Sequence, residues 1–216
     1  MEAFLQPIKI SMIVSLIALG LVFIIGITAA WLTERKFKKR KAWLDTILLS
    51  PIVLPPTVIG FILIMLFGKE GILGEITQFL FNQSIMFTVW AAIIAAVIVA
   101  FPLMYQSIKT GLSLVDHHIE EAARVDGASE WEVFRYVTFP LIKKSVFAGA
   151  ILSFARALGE FGATLMFAGN IPGRTQTVPM AIYVAFESNK MTLAWAWVIS
   201  ILFVSFIMLY ILQKKE

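Results

Sequence analysis

The chain has 216 residues, of which 59% are hydrophobic and only 15% are charged, and its mean hydropathy is +0.86. This composition excludes an ordinary soluble domain and indicates an integral membrane protein. The net charge of +4 does not indicate nucleic-acid binding, because the lysines and arginines cluster beside apolar segments, as membrane topology requires. The chain contains no cysteine, which excludes disulfides, cysteine-ligated zinc and thiol nucleophiles.

Five apolar segments are long enough to cross a bilayer as helices, which takes about 20 residues. They cover residues 10–32, 47–67, 85–107, 145–167 and 192–212. A further apolar segment, 175–188, is too short for a full crossing and predicts a short or re-entrant helix. We therefore expect an all-α integral membrane protein, a single domain over residues 1–216, with five full transmembrane helices and one partial helix.

Charge distribution predicts the orientation of these segments. We expect the first one to be an uncleaved transmembrane helix and not a signal peptide, because it is long, has only Lys9 before it and is followed by the stop-transfer pattern ERKFKKRKAW. Placing residues 33–46 in the cytoplasm puts most of the 18 lysines and arginines on that side. The N-terminus is then outside, and the C-terminus lies in the cytoplasm together with the polar interruption at 116–140.

This polar interruption, called the elbow from here on, contains the signals of two short helices. Asp116 can cap a helix whose first turns carry Glu120 and Glu121, acids that suit the positive end of the helix dipole. The helix should end at Gly127, which tolerates the left-handed conformation of a C-terminal cap.

The second helix of the elbow should begin at Ser129, because Ser129 and Glu132 have the spacing of a capping box. We expect it to end at Pro140, where proline lacks a backbone N–H. The residues alone allow two interpretations of the elbow. It can dock in a groove of another protein, or it can lie on the membrane with four side chains facing lipid: Trp131, Val133, Phe134 and Val137.

The elbow also resembles a known signature. Glu121, Ala122, Ala123 and, after three residues, Gly127 are similar to the EAA motif of permease subunits of ATP-binding-cassette importers, and Pro140 fits its ending. The segment 154–183 is similar to permeases for tetrahedral oxyanions, closest to those for molybdate or tungstate, while sulfate permeases share its general form. The resemblance implies a type I importer permease fold in which the elbow is a cytoplasmic coupling helix.

The resemblance also implies partners and a function. The elbow would fit a cleft of an ATPase subunit through the coupling residues Glu120, Glu121, Ala122, Ala123 and Gly127. Two such subunits would bind ATP and Mg²⁺, because this chain has no phosphate-binding loop of its own and no cofactor. A homodimer of the chain would import molybdate or tungstate by alternating access, receiving it from an extracytoplasmic oxyanion-binding protein docked on 68–84 and 168–191. The alternative is a permease for sulfate or another solute of the same transporter class.

Two charged residues lie within the predicted spans. Arg156 would sit at the centre of the fourth, where an isolated charge costs about 2.5 to 3.5 kcal/mol on insertion scales. Glu160, four residues later, lies on the same helix face and can pair with it. The pair is either part of an anion pathway or a structural contact. An enzyme active site is not indicated, because no cluster of catalytic side chains lies within the spans.

Three polar residues in the spans are candidates for pathway lining: Ser50, Thr57 and Thr164. The first two belong to SPIVLPPTVIGF, whose three prolines predict a kinked or broken helix that either lines a cavity or is only bent. Thr164 belongs to GEFGAT, whose small residues favour close helix packing, with a gate at the dimer axis as the alternative. His117 and His118 have no convergent ligand set, so we predict no metal site.

Overall fold

The structure is a computed structural model, and it describes residues 2–35 and 41–215. Most of the positive run that was expected to stop transfer, residues 36–40, lies outside the described residues. The described part is helical and contains no strand. Its ten helices are α1 (Glu2–Arg35), α2 (Lys41–Val53), α3 (Pro56–Phe67), α4 (Ile72–Phe81), α5 (Val89–Ser113), α6 (His117–Val125), α7 (Glu130–Leu158), α8 (Gly162–Ala168), α9 (Val178–Glu187) and α10 (Met191–Lys215).

Four of the described helices, α1, α5, α7 and α10, are long and apolar enough to cross a membrane. A fifth span results if α2 and α3 count as one, although they are bent by 110°. The break predicted from the three prolines is confirmed, since Pro51 lies inside α2 while Pro55 and Pro56 begin α3. The segment 175–188 contains α9, a helix of 10 residues.

The fourth apolar segment differs from its prediction at both ends. The prediction of one continuous helix over 145–167 is wrong, because α7 ends at Leu158 and α8 begins only at Gly162. Gly159 closes α7, and the Glu160 carboxylate accepts a hydrogen bond from the N–H of Ala163, which starts a new helix. A single hydropathy window cannot detect such a break, since the flanking residues are apolar on both sides.

The predicted helix end at Pro140 is also wrong, because α7 runs through it. Residues Val133–Thr138 form a π-helical turn, in which the N–H of Phe139 donates to the carbonyl of Phe134 five residues back. Pro140 follows directly and lies at the start of the α-helical part. The hydrogen-bond pattern changes here from π-helical to α-helical, and this change leaves one carbonyl without its usual N–H partner. The missing N–H of proline therefore costs little stability. The elbow therefore continues without interruption into a long helix.

The core forms where α1, α5 and α7 pack along one another. Small residues permit the close approach: a Cβ on Gly26 would come 2.7 Å from the Met104 side chain, and one on Gly149 would come 2.8 Å from Ser107. Arg35, the last residue of α1, pairs with Glu120 on α6, the helix that follows α5. Therefore α1 and α5 run in the same direction, and both end at the elbow.

At the opposite end of the bundle, α9 and α10 form a helical hairpin on the first turns of α1. The N–H of Val178 donates to Ser11 Oγ (2.8 Å), and the Trp197 indole donates to the carbonyl of Phe4 (3.0 Å). In the most apolar part of α10 only 6% of the residues are buried, compared with 61% in α5. In this chain α10 is thus peripheral and α5 central.

Candidate coupling elbow and helix breaks

The elbow begins with the predicted cap and turn. Asp116 Oδ1 accepts a hydrogen bond from the N–H of His118 (2.9 Å), which confirms the cap of α6. After α6, Gly127 has a φ of 91°, the left-handed conformation that glycine adopts at little cost. The N–H groups of Gly127 and Ala128 donate to the carbonyls of Arg124 and Ala123, each at 3.0 Å. These two bonds are the Schellman pattern and set the angle between the helices of the elbow.

The start of α7 also follows its sequence signal. Ser129 Oγ accepts from the N–H of Glu132 (3.4 Å), and Glu132 Oε2 accepts from the N–H of Ser129 (2.8 Å), so the capping box is confirmed. Arg124 on α6 donates to both carboxylate oxygens of Glu130 on α7, at 2.6 and 3.2 Å. This hydrogen bond raises the pKa of the Arg124 guanidinium above its ordinary value. The elbow is therefore held by local contacts across its own turn.

Glu120 does not lie on the surface of the elbow, although the sequence grouped it with the coupling residues. It is 1% exposed and forms an ion pair with Arg35 at the end of α1. Its Oε1 also accepts a hydrogen bond from Thr138 Oγ1 on α7 (2.7 Å). The other oxygen lies 3.8 Å from His117 Nδ1 and 3.9 Å from the Arg124 guanidinium. Glu120 thus joins α6 to α1 and α7 instead of offering a contact to another chain.

The other predicted coupling residues are more accessible. Glu121, Ala122 and Gly127 are exposed, and Ala123 is half-buried. Val125 stands beside them with 86% of its surface exposed, and the sequence analysis did not single it out. The sequence did contain a signal for Val125. An apolar residue in a polar segment is either buried or available to contact another molecule. The exposed surface is thus a patch with one acid, Glu121, and two apolar side chains, Ala122 and Val125.

Only part of the set that the alternative interpretation placed against lipid is exposed. Val133 is 2% exposed, so its assignment to a lipid-facing position is wrong. Thr138 beside Glu120 is buried as well, which shows that this face of α7 turns toward α6. Trp131 is 65% exposed and stacks on the half-buried Phe134, with ring centroids 5.8 Å apart.

A second polar cluster links α2 to α5, and sequence reasoning missed it. Asp45 on α2 accepts a hydrogen bond from the Tyr105 hydroxyl (2.5 Å) and pairs with Lys109, both on α5. Tyr105 is fully buried. Their spacing of four residues on α5 was the available signal, since it puts a hydroxyl and an ammonium on one helix face. The partner on α2 could not be inferred from that spacing.

The two helix breaks, at 54–55 and 159–161, lie next to each other. A Cβ on Gly162 would come 3.1 Å from the Pro56 side chain, and one on Gly60 would come 3.1 Å from the Cα of Ala163. The prediction that the small residues of GEFGAT serve close packing is therefore confirmed at Gly162 and Ala163.

The expected pair of Arg156 and Glu160 forms at the second break. Arg156 Nη1 and Glu160 Oε2 are 2.7 Å apart, with one third of the Arg156 side chain exposed and Glu160 buried. Arg156 does not lie at the centre of a span as predicted, but in the last turn of α7. Glu160 has left the helix, and its other oxygen accepts from Ala163 at 2.8 Å. One carboxylate thereby neutralises an arginine and starts α8.

The three candidate lining residues are not brought together on one surface. Ser50 is half-buried, and its hydroxyl donates to the carbonyl of Ile47 within α2 (2.8 Å). Thr57 is exposed in the first turn of α3. Thr164 is 1% exposed and faces the interior of the bundle, so it lines no open surface in this conformation.

The adjacent histidines occupy different environments. His117 Nδ1 accepts a hydrogen bond from Arg35 (2.8 Å) beside Glu120, whereas His118 is exposed and lies 3.5 Å from Glu121. The described residues contain no group of three or more His, Asp or Glu that could hold a metal ion. His117 therefore belongs to the contacts that hold the elbow to α1.

A bundle of apolar helices with broken spans and a capped polar elbow defines a multi-pass helical membrane protein. The chain belongs to the family described as "Binding-protein-dependent transport system inner membrane component", which matches residues 22–215. Its fold is that of importer permeases: it aligns with a bacterial ATP-binding-cassette transporter that imports alginate, with a TM-score of 0.76 at 15% identity, covering 99% of this chain and 77% of that one.

Its curated relatives are transport permeases. The chain is 53% identical to the putative molybdenum transport system permease protein YvgM of Bacillus subtilis (strain 168), over 99% of this chain and 94% of that protein. It is 41% identical to the molybdenum transport system permease protein ModB of Escherichia coli (strain K12), over 85% and 80%. Identity to the sulfate transport system permease protein CysW of Synechococcus elongatus is 31%, over 88% and 66%. The chain is thus a multi-pass permease subunit of an ATP-binding-cassette importer and not an enzyme.

Proposed function

We propose that this permease imports molybdate, with tungstate as a second substrate of the same shape and charge. The observation that carries the proposal is the 53% identity to a relative named for molybdenum transport, over nearly the whole chain. The runner-up substrate is sulfate, which the 31% identity to a sulfate permease favours less.

The working transporter, in this proposal, contains two copies of the chain, two ATPase subunits and an extracytoplasmic oxyanion-binding protein. The N-terminus of α1 lies outside, and the elbow and the C-terminus lie in the cytoplasm. The ATPase subunits bind ATP and Mg²⁺. Their contact on this chain is the exposed patch of Glu121, Ala122, Val125 and Gly127, with the half-buried Ala123 at its edge.

Glu120 has a different role in this proposal, as a positioning residue. It joins α6 to Arg35 on α1 and to Thr138 on α7. A displacement of α6 by the ATPase subunit would therefore move the ends of two long helices together. Alternating access requires such a rigid connection, because a loose loop would absorb the motion.

The anion pathway is proposed to pass the two helix breaks, where Arg156 is one third exposed and Thr57 is exposed. An unpaired arginine would attract a dianion strongly and release it slowly. Glu160 offsets part of this charge, so Arg156 can favour anions over cations without retaining them. Ser50 and Thr164 would reach the pathway only in another conformation, since one bonds within its helix and the other is buried.

Reconstitution in liposomes with the partner ATPase subunit and an oxyanion-binding protein tests the proposal. Molybdate and tungstate should stimulate ATP hydrolysis and be taken up, while sulfate should do neither at equal concentration. Uptake of sulfate in preference to molybdate would overturn the substrate assignment but leave the importer class standing.

The coupling surface is tested in the same liposomes with two matched charge reversals. Glu121→Lys should abolish the stimulation of ATP hydrolysis by loaded binding protein, because it places a cation in the proposed contact. Glu2→Lys makes the same change on an exposed residue outside the elbow and outside both proposed docking segments, and it should leave coupling intact. Normal coupling in an assembled Glu121→Lys transporter would refute the assignment of this patch.

A further inference from the structure

The helix α4 exposes an apolar stripe that no part of the chain covers within the described residues. Four side chains form it, at the spacing of one helix face: Ile72, Ile76, Phe79 and Leu80. Phe79 is 89% exposed and Ile72 is 73% exposed. Exposing these four apolar side chains to water would be energetically unfavourable. The question is therefore what covers the stripe.

Close backbone contacts hold the opposite side of α4. A Cβ on Gly74 would come 1.8 Å from the carbonyl oxygen of Gly68, and one on Gly71 would come 2.3 Å from that of Met65. The turn between α3 and α4 therefore accepts only glycine at these positions. Thr77 is buried on the same side, where its hydroxyl donates to the carbonyl of Gly74 (3.0 Å). The side of α4 that faces the bundle is thus set by backbone contacts.

The remaining side of α4 is polar. Glu75 and Gln78 are exposed on a third face, next to neither the bundle nor the centre of the apolar stripe. The helix therefore has one face toward protein, one apolar face and one face suited to water. This arrangement of three faces is typical of a helix that lies in the plane of a membrane surface and packs against protein on one side.

The position of α4 along the bundle is consistent with a location at the membrane surface. It connects α3 to α5 at the end of the bundle opposite the elbow, just before α5 enters the apolar core. Trp90, the second residue of α5, is 61% exposed, and Trp195 near the start of α10 is 62% exposed. Exposed tryptophans at helix ends are typical of the boundary between lipid headgroups and acyl chains.

We propose that α4 is an interfacial helix whose stripe of Ile72, Ile76, Phe79 and Leu80 is covered by the acyl chains of phospholipids. The helix lies flat at the boundary, with Glu75 and Gln78 toward water. Of the segment 68–84, this leaves only the polar side of α4 and its flanking turns for a binding protein. The proposal depends on the membrane position of α3 and α5 and is independent of the transported anion.

The experiment uses the full transporter in liposomes of phosphatidylethanolamine and phosphatidylglycerol. Since the chain contains no cysteine, single cysteines can be spin-labelled without background from this subunit once any cysteines of the ATPase subunit are replaced. Ile76→Cys and Phe79→Cys probe the stripe, and Glu75→Cys and Gln78→Cys are matched controls one residue away. Collisions of each label with oxygen, which enters lipid, are compared with collisions with a water-soluble nickel chelate.

Labels at 76 and 79 should collide more with oxygen than with nickel, and labels at 75 and 78 should show the reverse. Equal nickel accessibility at 78 and 79 would place the stripe in water and overturn the proposal. Slowing of the label at 79 by added binding protein, with no preference for oxygen before the addition, would identify a protein contact instead and equally refute lipid. Each result stands whether or not molybdate proves to be the substrate.

Discussion

Glu120 and Glu160 are both buried carboxylates beside an arginine, yet they are held in different ways. Glu160 pairs with Arg156, four residues earlier, and caps the helix that follows it. Glu120 pairs with Arg35, 85 residues earlier in the chain, and accepts from Thr138 on a third helix. The first carboxylate completes a local structure at a helix break, whereas the second joins elements that are distant in sequence. Removing Glu120 should therefore lower the free energy of unfolding more than removing Glu160.

The largest effect is expected from Glu120→Ala, which removes the carboxylate that pairs with the Arg35 guanidinium in a largely buried site. Breaking a buried pair in this way costs about 3 to 5 kcal/mol. The free energy of unfolding, measured by denaturant titration of the purified chain in detergent micelles, should fall by that amount. Glu121→Ala is the matched control, because the neighbouring side chain is exposed and should leave stability unchanged.

A double-mutant cycle checks that this cost belongs to the pair. Arg35→Leu and Glu120→Leu together should destabilise the chain by at least about 1 kcal/mol less than the sum of the single changes. Additive effects would show that Glu120 acts through packing alone, and the contrast with Glu160 would then lose its basis.

The second largest effect is expected from Glu160→Ala. It uncaps α8 and leaves Arg156 without its partner, but Arg156 is one third exposed and can reach other polar groups. We expect a loss of about 2 kcal/mol in the same titration. Glu160→Gln should recover part of it, since the amide oxygen can still accept from Ala163. A loss as large as that of Glu120→Ala would contradict the distinction between the two sites.

A smaller effect tests whether the angle between α6 and α7 is set by the turn at Gly127 or by the contacts of Glu120. Gly127→Ala should cost about 1 to 2 kcal/mol, because its φ of 91° is unfavourable for alanine although no atom lies within 4 Å of the added Cβ. Gly20→Ala, in the open middle of α1, is the control and should stabilise the chain slightly. If both substitutions behave alike, the left-handed turn does not determine the elbow.

The smallest effect is expected at the start of α7. Ser129→Ala removes the capping hydrogen bond to the N–H of Glu132 and should cost about 1 kcal/mol. Ser129→Asn keeps an acceptor at this position and should restore most of the stability. Circular dichroism during thermal unfolding measures both variants, and a neutral Ser129→Ala would mean that Glu120 and Arg124 hold the elbow without the cap.

The sequence predicted the local features of the candidate site well. Asp116, Gly127 and the Ser129 box act through bonds within a few residues, and the pair of Arg156 and Glu160 follows from helical spacing. It failed where a residue's role depends on what packs against it. Val133 and Thr164 looked available from their segments, but the structure buries both. The continuation of α7 through Pro140 was missed because a π-helical turn has no sequence signal as strong as proline.

By itself the sequence determined the class of this protein and the shape of its elbow, because apolar run lengths and caps report interactions between near neighbours. Only the tertiary structure decided that Glu120 is buried against Arg35, that Asp45 meets Tyr105 and Lys109, and that the two helix breaks touch. Each of these contacts joins segments far apart in the chain. Spacing within one helix carries no information about which distant helix will supply the partner.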